Sequence, residues 1–208
     1  MAMENSPHKA AVIGGGVIGG GWVARFLLNG WDVAVYDPDP EAERKIAAVL
    51  ANARRSLPAL YDTALPDEGK LIFCSSIAHA VKDARWVQES APEQLKIKHR
   101  ILAEIQQHAD ENAVIGSSTS GCKPSELQEG ASRPGQIVVA HPFNPVYLLP
   151  LIEIVASEQS DKAFVEDGCA ILRDVGLKPL VIGKEIDAHI ADRLLEAVWR
   201  EGLWLVND

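Results

Sequence analysis

The stretch Ala10-Ala-Val-Ile-Gly-Gly-Gly-Val-Ile-Gly-Gly-Gly-Trp22 joins a short apolar run to a glycine loop, and helix-compatible residues follow up to Leu28. Gly14, Gly16 and Gly19 stand in the spacing G-x-G-x-x-G. The first glycine of this pattern permits a tight turn, the second lets backbone approach a pyrophosphate, and the third allows close packing of helix on strand. The stretch therefore predicts a dinucleotide-binding unit, although glycine loops also occur as plain turns.

The predicted cofactor-binding loop lies at the start of this helix, whose free N–H groups and positive dipole end attract phosphates. It comprises Gly14, Gly15, Gly16, Val17, Ile18 and Gly19. The next predicted strand leads into Asp37, about 20 residues past the loop, where the dinucleotide fingerprint has an acidic residue. A carboxylate there accepts a hydrogen bond from the ribose 2′-hydroxyl and repels a 2′-phosphate, so we expect NAD rather than NADP. Alternatively, Asp37 is a turn residue in Asp37-Pro-Asp-Pro40.

The composition bounds the class of protein. The chain has 208 residues, 47% of them hydrophobic, and a net charge of −9. These values are typical of a globular protein in solution, and the acidity argues against a nucleic-acid surface. Residues 1–7 are too short and polar for a signal peptide, and no apolar run is long enough to span a membrane. The three separated cysteines fit neither a metal motif nor a disulfide framework, so we expect core packing in a reducing cytoplasm. They are Cys74, Cys122 and Cys169.

Strands and helices alternate along the chain, which predicts a doubly wound, mostly parallel sheet of the α/β class. The predicted strands are 10–13, 32–36, 71–74, 86–89, 113–117, 137–140, 151–155 and 180–182. The predicted helices are 17–28, 40–57, 77–82, 93–108, 162–175 and 188–206. We expect the strand at 71–74 to be buried. Residues 1–186 are assigned to this NAD-binding Rossmann domain.

The last predicted helix is amphipathic, and nothing further in the chain covers its apolar side. Its apolar residues include Ile190, Leu194, Leu195, Val198 and Leu205. We therefore expect residues 187–208 to begin a second, all-helical domain whose remainder is absent, or to be covered by another subunit.

Glu153 is the residue that most needs a partner, because it lies inside the apolar predicted strand 151–155. His141 is the nearest candidate and follows the predicted strand 137–140, at a carboxyl end where α/β sheets bind ligands. A carboxylate bonded to one imidazole nitrogen fixes the tautomer and leaves the other nitrogen free to accept a proton. A dehydrogenase needs such a base, because its alcohol substrate loses a proton as hydride leaves. Alternatively, His141 is a core histidine and Glu153 faces solvent.

Polar side chains near the same sheet edge are further candidates. The segment Ser117-Ser-Thr-Ser-Gly121 offers hydroxyl groups to a substrate oxygen or to the cofactor. Its alternative is a turn that leads into a helix. Glu93 and Lys98 start a predicted helix nearby, and their alternative is a solvated pair on the helix surface.

Five segments together resemble the 3-hydroxyacyl-CoA dehydrogenase family, in the family's order and over essentially the whole chain. They are Glu89-x-x-Pro-Glu93-x4-Lys98, Ser117-Ser-Thr-Ser-Gly121, His141-Pro-Phe-Asn-Pro145, Glu153 and Ile190-Ala-Asp-Arg-Leu-Leu195. The match of several motifs in order is far more specific than the glycine loop alone.

The resemblance implies a role for each matching position. His141 is expected to be the general acid/base, Glu153 its orienting carboxylate, and Ser120 the group that touches the reacting oxygen. The same resemblance implies three cofactor-binding residues: Asn144 is expected beside the nicotinamide, and Glu93 and Lys98 along the cofactor cleft. It also implies a homodimer, whose contacts a helical C-terminal domain makes.

The segment Asp187-Ala-His-Ile-Ala-Asp-Arg193 departs from the family's frequent Pro-Gly-Phe-Ile-x-Asn-Arg. Ala188-His189 replaces Gly-Phe, which puts the hinge geometry before the last helix in doubt. Asp192 replaces an asparagine that acyl-CoA members place near the substrate. Its carboxylate could pair with a cationic small-molecule substrate such as L-carnitine, whose trimethylammonium group also favours aromatic faces such as Phe143 or Tyr147. Alternatively, Asp192 is a helix-start acid without substrate contact, and the two rings pack in the core.

The favoured interpretation is therefore an NAD-dependent oxidation of a small molecule that carries a 3-hydroxyl group. One alternative is a 3-hydroxyacyl-CoA dehydrogenase, with the same catalytic residues but a need for a basic patch that does not stand out here. A second is a non-catalytic NAD-binding relative of the lens-crystallin kind, against which His141 and Glu153 argue. A third is a methyltransferase-like nucleotide binder, against which Asp37 and the full glycine pattern argue.

Overall fold

Eight strands form one sheet in the computed structural model, which describes residues 8–207. They are β1 Lys9–Ile13, β2 Asp32–Tyr36, β3 Leu71–Phe73, β4 Trp86–Glu89, β5 Val114–Ser117, β6 Ile137–Pro142, β7 Leu151–Val155 and β8 Lys178–Ile182. Their order across the sheet is β3-β2-β1-β4-β5-β6-β7-β8, and all neighbouring pairs are parallel except β6 with β7. The prediction of a doubly wound, mostly parallel α/β sheet is confirmed. Residues 1–7, on which the expectation of no signal peptide rests, lie outside the described residues.

The described chain also forms seven α-helices. They are α1 Val17–Leu27, α2 Ala42–Ser56, α3 Ile77–Val81, α4 Leu95–His108, α5 Pro124–Leu127, α6 Lys162–Asp174 and α7 Ala191–Asn207. Ala10 and Val12 of β1 pack in one core cluster with α1, α2 and α6. Ala11 and Ile13 pack in a second cluster with α3, α4 and α5. Both faces of β1 are therefore covered, which explains why this strand is apolar from Ala10 to Ile13.

Two predictions differ from the structure. One concerns the burial of a strand at the edge of the sheet, and the other concerns the residue at which a helix begins. The strand predicted to be buried at 71–74 is β3, whose Ile72 and Phe73 are 51% and 38% exposed. That prediction is wrong because β3 is the terminal strand of the sheet. Helix α4 begins at Leu95 rather than at residue 93, since Gln94 has an extended backbone at the N-cap position.

The segment between β8 and the last helix also differs from its prediction. Helix α7 begins at Ala191 rather than at residue 188, because Ala188 and His189 have positive φ angles of 57° and 51°. No residue of α7 is buried among the described residues, so its apolar side is exposed as predicted. No helix between residues 8 and 207 has the length and apolar character needed to cross a membrane.

Two glycines of the loop are required by close approach of the backbone. Gly14 has a φ of +100°, which favours glycine, and its N–H donates to the carbonyl of Tyr36 at 2.9 Å. A Cβ atom on Gly19 would lie 1.7 Å from the carbonyl oxygen of Gly14. The third glycine of the pattern therefore allows α1 to start directly against the turn that ends β1.

We expect Gly19→Ala to lower the free energy of unfolding by about 3 kcal/mol, at the upper end of the range for overpacking, because the added methyl group overlaps backbone. Urea denaturation of the variant and of the parent chain measures this difference. The control is Gly202→Ala on the exposed surface of α7, where an added Cβ meets no atom within 4 Å. The control should be unchanged or more stable by up to about 1 kcal/mol. A Gly19→Ala variant as stable as the parent would contradict the packing described here.

Candidate active site

The glycine loop and Asp37 meet at the carboxyl edge of β1 and β2. The N–H of Gly15 donates a hydrogen bond to Asp37 Oδ2, and the N–H of Asp39 donates to Asp37 Oδ1 at 2.7 Å. Asp37 therefore holds the glycine loop against the end of β2 and also closes its own turn. Its half-buried carboxylate is placed where the fingerprint expects the cofactor ribose.

The start of α1 fits a pyrophosphate. Gly16 is exposed at the N-cap position, and no side chain caps the helix there. A Cβ on Gly16 would meet no heavy atom within 4 Å, so the loop leaves open space on this side. Val17 is exposed and Ile18 half-buried, whereas Gly19 is buried against the turn. Uncapped N–H groups beside an open glycine form the kind of site that binds a dinucleotide phosphate.

His141 and Glu153 lie directly opposite each other in the antiparallel pair of β6 and β7. Glu153 Oε2 lies 2.9 Å from His141 Nδ1, and the two residues are 1% and 5% exposed. A carboxylate oxygen only accepts, so Nδ1 carries the proton and Nε2 is left as an acceptor. The hydroxyl of Ser120 lies 3.2 Å from Nε2 and is exposed. The three residues predicted as catalytic thus come together, and His141 lies within β6 rather than after it.

The second oxygen of Glu153 caps the last helix. Glu153 Oε1 accepts hydrogen bonds from the N–H of Ile190 at 3.0 Å and of Ala191 at 2.9 Å. A negative charge is favourable at a helix N-terminus, where N–H groups lack partners within the helix. Sequence analysis missed this contact, because nothing in the local pattern shows that a cap comes from 37 residues away.

Glu93 holds the loop that carries Ser120. Its Oε1 accepts from the hydroxyl of Thr119 and from the N–H groups of Ser120 at 3.1 Å and Gly121 at 2.9 Å. Burial opposes the charge on this carboxyl, but the hydrogen bonds from Thr119 and Gly121 and the charge of Lys98 hold the pKa of Glu93 below its usual value. Glu93 therefore remains ionised and fixes the backbone of Ser120 and Gly121, on either side of the Ser120 side chain.

Lys98 is a buried cation. Its Nζ lies 3.1 Å from both carboxylate oxygens of Glu89 and 3.2 Å from Glu93 Oε2. The alternative of a solvated surface pair is wrong, because Lys98 is only 1% exposed. Ser117 also donates its hydroxyl proton to Glu89. Lys98 therefore positions Glu93 and the serine loop, while its direct contact with a cofactor stays a prediction.

Two further residues lie close to the His141 ring. The ring centroid of Phe143 lies 5.5 Å from that of His141. Asp192, in the first turn of α7, places Oδ2 at 3.8 Å from His141 Nε2, and its side chain is 34% exposed. Asn144 is exposed just beyond β6, and Tyr147 packs against the core cluster that contains α1.

His189 is a second, fully buried imidazole beside the first. Its Nε2 donates to the carbonyl of Thr119 at 3.2 Å, and its ring centroid lies 5.2 Å from that of His141. Its Nδ1 has no hydrogen-bond partner among residues 8–207. Burial lowers the pKa of His189 despite the hydrogen bond to Thr119, which raises it. The sequence indicates only that Ala188-His189 changes a hinge, because neither the burial of His189 nor its contact with Thr119 has a local sequence signal.

The fold and this arrangement of residues match a known family over most of the chain. Residues 9–186 match the family model described as "3-hydroxyacyl-CoA dehydrogenase, NAD binding domain". The chain belongs to this family. The resemblance of the sequence motifs is therefore confirmed, and residues 9–186 form an NAD-binding domain of this family.

Two curated relatives are similar over nearly all of this chain. The L-carnitine dehydrogenase/betainyl-CoA thioesterase of Ruegeria pomeroyi is 66% identical over 199 residues, which cover 96% of this chain and 41% of that protein. The L-carnitine dehydrogenase of Mesorhizobium japonicum is 56% identical over 202 residues, which cover 97% of this chain and 56% of that protein. The chain thus spans about half the length of these relatives or less.

A solved structure shows the same fold. The NAD⁺-dependent dismutase 5-formyl-3-hydroxy-2-methylpyridine 4-carboxylic acid 5-dehydrogenase superimposes with a TM-score of 0.89 at 32% identity. The superposition covers 97% of this chain and 65% of that one.

The buried imidazole of His189 predicts a pH-dependent stability. Its folded pKa is lowered, so the unfolded chain binds the proton more readily and acid favours unfolding. The stabilising effect of keeping His189 neutral is complete above its usual pKa of about 6.5 and is lost as pH falls toward the folded value.

We therefore expect His189→Gln, which keeps a donor for Thr119 but does not titrate, to lose less free energy of unfolding than the parent on acidification from about pH 7.5 to about pH 5.5. Urea denaturation at each pH measures this. At higher pH His189 is neutral in both the folded and the unfolded chain, so the two proteins should differ by a constant free energy of unfolding, which serves as the internal control. Equal losses in both proteins would contradict the assignment.

Proposed function

We propose that the protein oxidises the 3-hydroxyl group of L-carnitine to a ketone, giving 3-dehydrocarnitine, with NAD as the hydride acceptor. The observation that carries this proposal is the chain of contacts from Glu153 through His141 to Ser120, beside a dinucleotide-binding loop. The names of the two curated relatives support the choice of substrate.

The residues of the site supply what this oxidation needs from the protein. The hydroxyl of the substrate binds between Ser120 Oγ and His141 Nε2, and Nε2 takes its proton. Glu153 keeps the imidazole in the required tautomer and stabilises the imidazolium that forms. When bound, NAD accepts the hydride at C4 of its nicotinamide ring.

The proposal assigns cofactor binding to the residues that border the same cleft. The phosphate contacts fall to Gly14, Gly15, Gly16, Val17, Ile18 and Gly19. Asp37 receives the ribose hydroxyls and disfavours NADP. Asn144 is assigned to the nicotinamide end of the cleft, supported by its exposure just past β6. Glu93 and Lys98 complete the cofactor side of the serine loop.

We extend the proposal to the organisation of the protein. Residues 1–186 form the NAD-binding unit and 187–208 begin a helical unit, as supported by a family match that ends at 186 and by an α7 with no buried residue. The exposed apolar side of α7 supports a homodimer. The three free cysteines support a cytoplasmic location, where thiols stay reduced.

The test of the proposed function is NADH formation by the natural full-length protein with L-carnitine, D-carnitine and 3-hydroxybutyryl-CoA. We expect turnover of L-carnitine, and we expect His141→Gln to lower kcat by about a thousandfold because the general base is lost. NAD binding, measured by calorimetry, should survive in this variant. His108→Gln, at an exposed position on α4, is the matched control and should retain activity.

Other outcomes would contradict parts of the proposal. NADH formation only with the CoA ester would assign the protein to the acyl-CoA branch of the family. NAD binding without turnover of any of the three compounds would favour a non-catalytic relative. Full activity of His141→Gln would show that another group takes the proton.

A further inference from the structure

Asp192 presents an unpaired carboxylate to the reacting side of His141. Its Oδ2 lies 3.8 Å from Nε2, the nitrogen that faces Ser120 and not Glu153. Within residues 8–207, Asp192 has no hydrogen-bond donor and no other cation within ion-pair distance. A partly exposed carboxylate at this place is accessible to a ligand.

The other acidic groups of the site are already neutralised by neighbours. Glu153 accepts from the imidazole and from the N–H groups of Ile190 and Ala191, and Glu93 is bonded by the serine loop and by Lys98. Lys98 itself is buried between the carboxylates of Glu89 and Glu93, so its charge is compensated there. The charge that remains uncompensated next to the reacting nitrogen is therefore the negative charge of Asp192.

We propose that Asp192 determines specificity by recognising a positive charge on the substrate, one methylene away from the carbon that carries the reacting hydroxyl. This inference rests on the proposed function, because L-carnitine has its trimethylammonium group at that position. When the hydroxyl binds Nε2, the ammonium group is held within a few ångströms of the carboxylate. The ring of Phe143 also lies near His141, with centroids 5.5 Å apart, and aromatic faces attract quaternary ammonium groups.

The geometry argues against a purely structural role. At 3.8 Å the Asp192 carboxylate is beyond hydrogen-bond distance from His141, so it does not orient the ring. Glu153 already performs that task from the opposite nitrogen. Asp192 also makes no side-chain hydrogen bond at the start of α7, where the N–H groups of Ile190 and Ala191 donate to Glu153.

The experiment compares L-carnitine with its isostere 3-hydroxy-5,5-dimethylhexanoate of the same configuration, in which a neutral carbon replaces the charged nitrogen, in the natural full-length protein. The two substrates have the same shape and differ in the charge of one atom. Asp192→Asn removes the charge of the side chain and keeps its size. Glu201→Gln makes the same change of charge at an exposed position about 13 Å further along α7 and is the control.

We expect Asp192→Asn to lower the preference for L-carnitine over the isostere, as the ratio of the two kcat/KM values, by about tenfold, the effect of one ion pair near a protein surface. The change should come from a higher KM for L-carnitine, and Glu201→Gln should leave the ratio unchanged. A loss of kcat that is equal for both substrates, with a shifted pH–rate profile, would overturn the proposal and show that Asp192 acts through His141. An unchanged ratio would also overturn it.

A binding experiment with compounds that lack the reacting hydroxyl tests this inference independently of the proposed function. The dissociation constants of 4-trimethylammoniobutanoate and its isostere 5,5-dimethylhexanoate are measured on the NADH complex of the protein. A preference for the cation that disappears in Asp192→Asn supports charge recognition even if L-carnitine is not oxidised. Equal binding of both compounds by the parent protein overturns it, whatever the outcome of the turnover assay.

Discussion

The buried carboxylate of Glu153 is the interaction on which the rest of the site depends. One of its oxygens binds Nδ1 of His141, and the other accepts two N–H groups at the start of α7. A buried charge is tolerated only when it is paired and hydrogen-bonded, and here three donors meet that requirement. The same residue therefore sets the tautomer of the imidazole and the position of the last helix relative to the sheet.

A second set of contacts brings Ser120 to the same histidine. Lys98 is held between two carboxylates beneath the loop after β5, and Glu93 binds the backbone of Ser120 from there. His189 donates to the carbonyl of Thr119 on the other side of the loop. The hydroxyl of Ser120 is thus exposed to a ligand while the backbone around it is fixed by buried groups. Such support is what a site needs to hold a reacting oxygen in place.

The sequence allowed prediction of the parts that have local or periodic signals. The glycine loop with Asp37 and the alternation of strands and helices predicted the fold, and the unpartnered Glu153 in an apolar strand predicted its pairing with His141. The exposure of β3 could not be predicted, because an edge strand differs from a central one only by its place in the sheet. The cap of α7 by Glu153 and the burial of His189 and Lys98 depend on contacts between distant segments, for which a single sequence holds no local signal.

The most direct test of this account is the tautomer of His141, measured by nitrogen NMR on the histidine-labelled chain at alkaline pH, with Glu153→Ala as the comparison. The contact with Glu153 predicts a neutral imidazole protonated at Nδ1, with Nε2 free to accept the substrate proton. The variant should lose this preference. A His141 protonated at Nε2 in the parent chain, or a tautomer that does not respond to the removal of Glu153, would contradict the central role of this carboxylate.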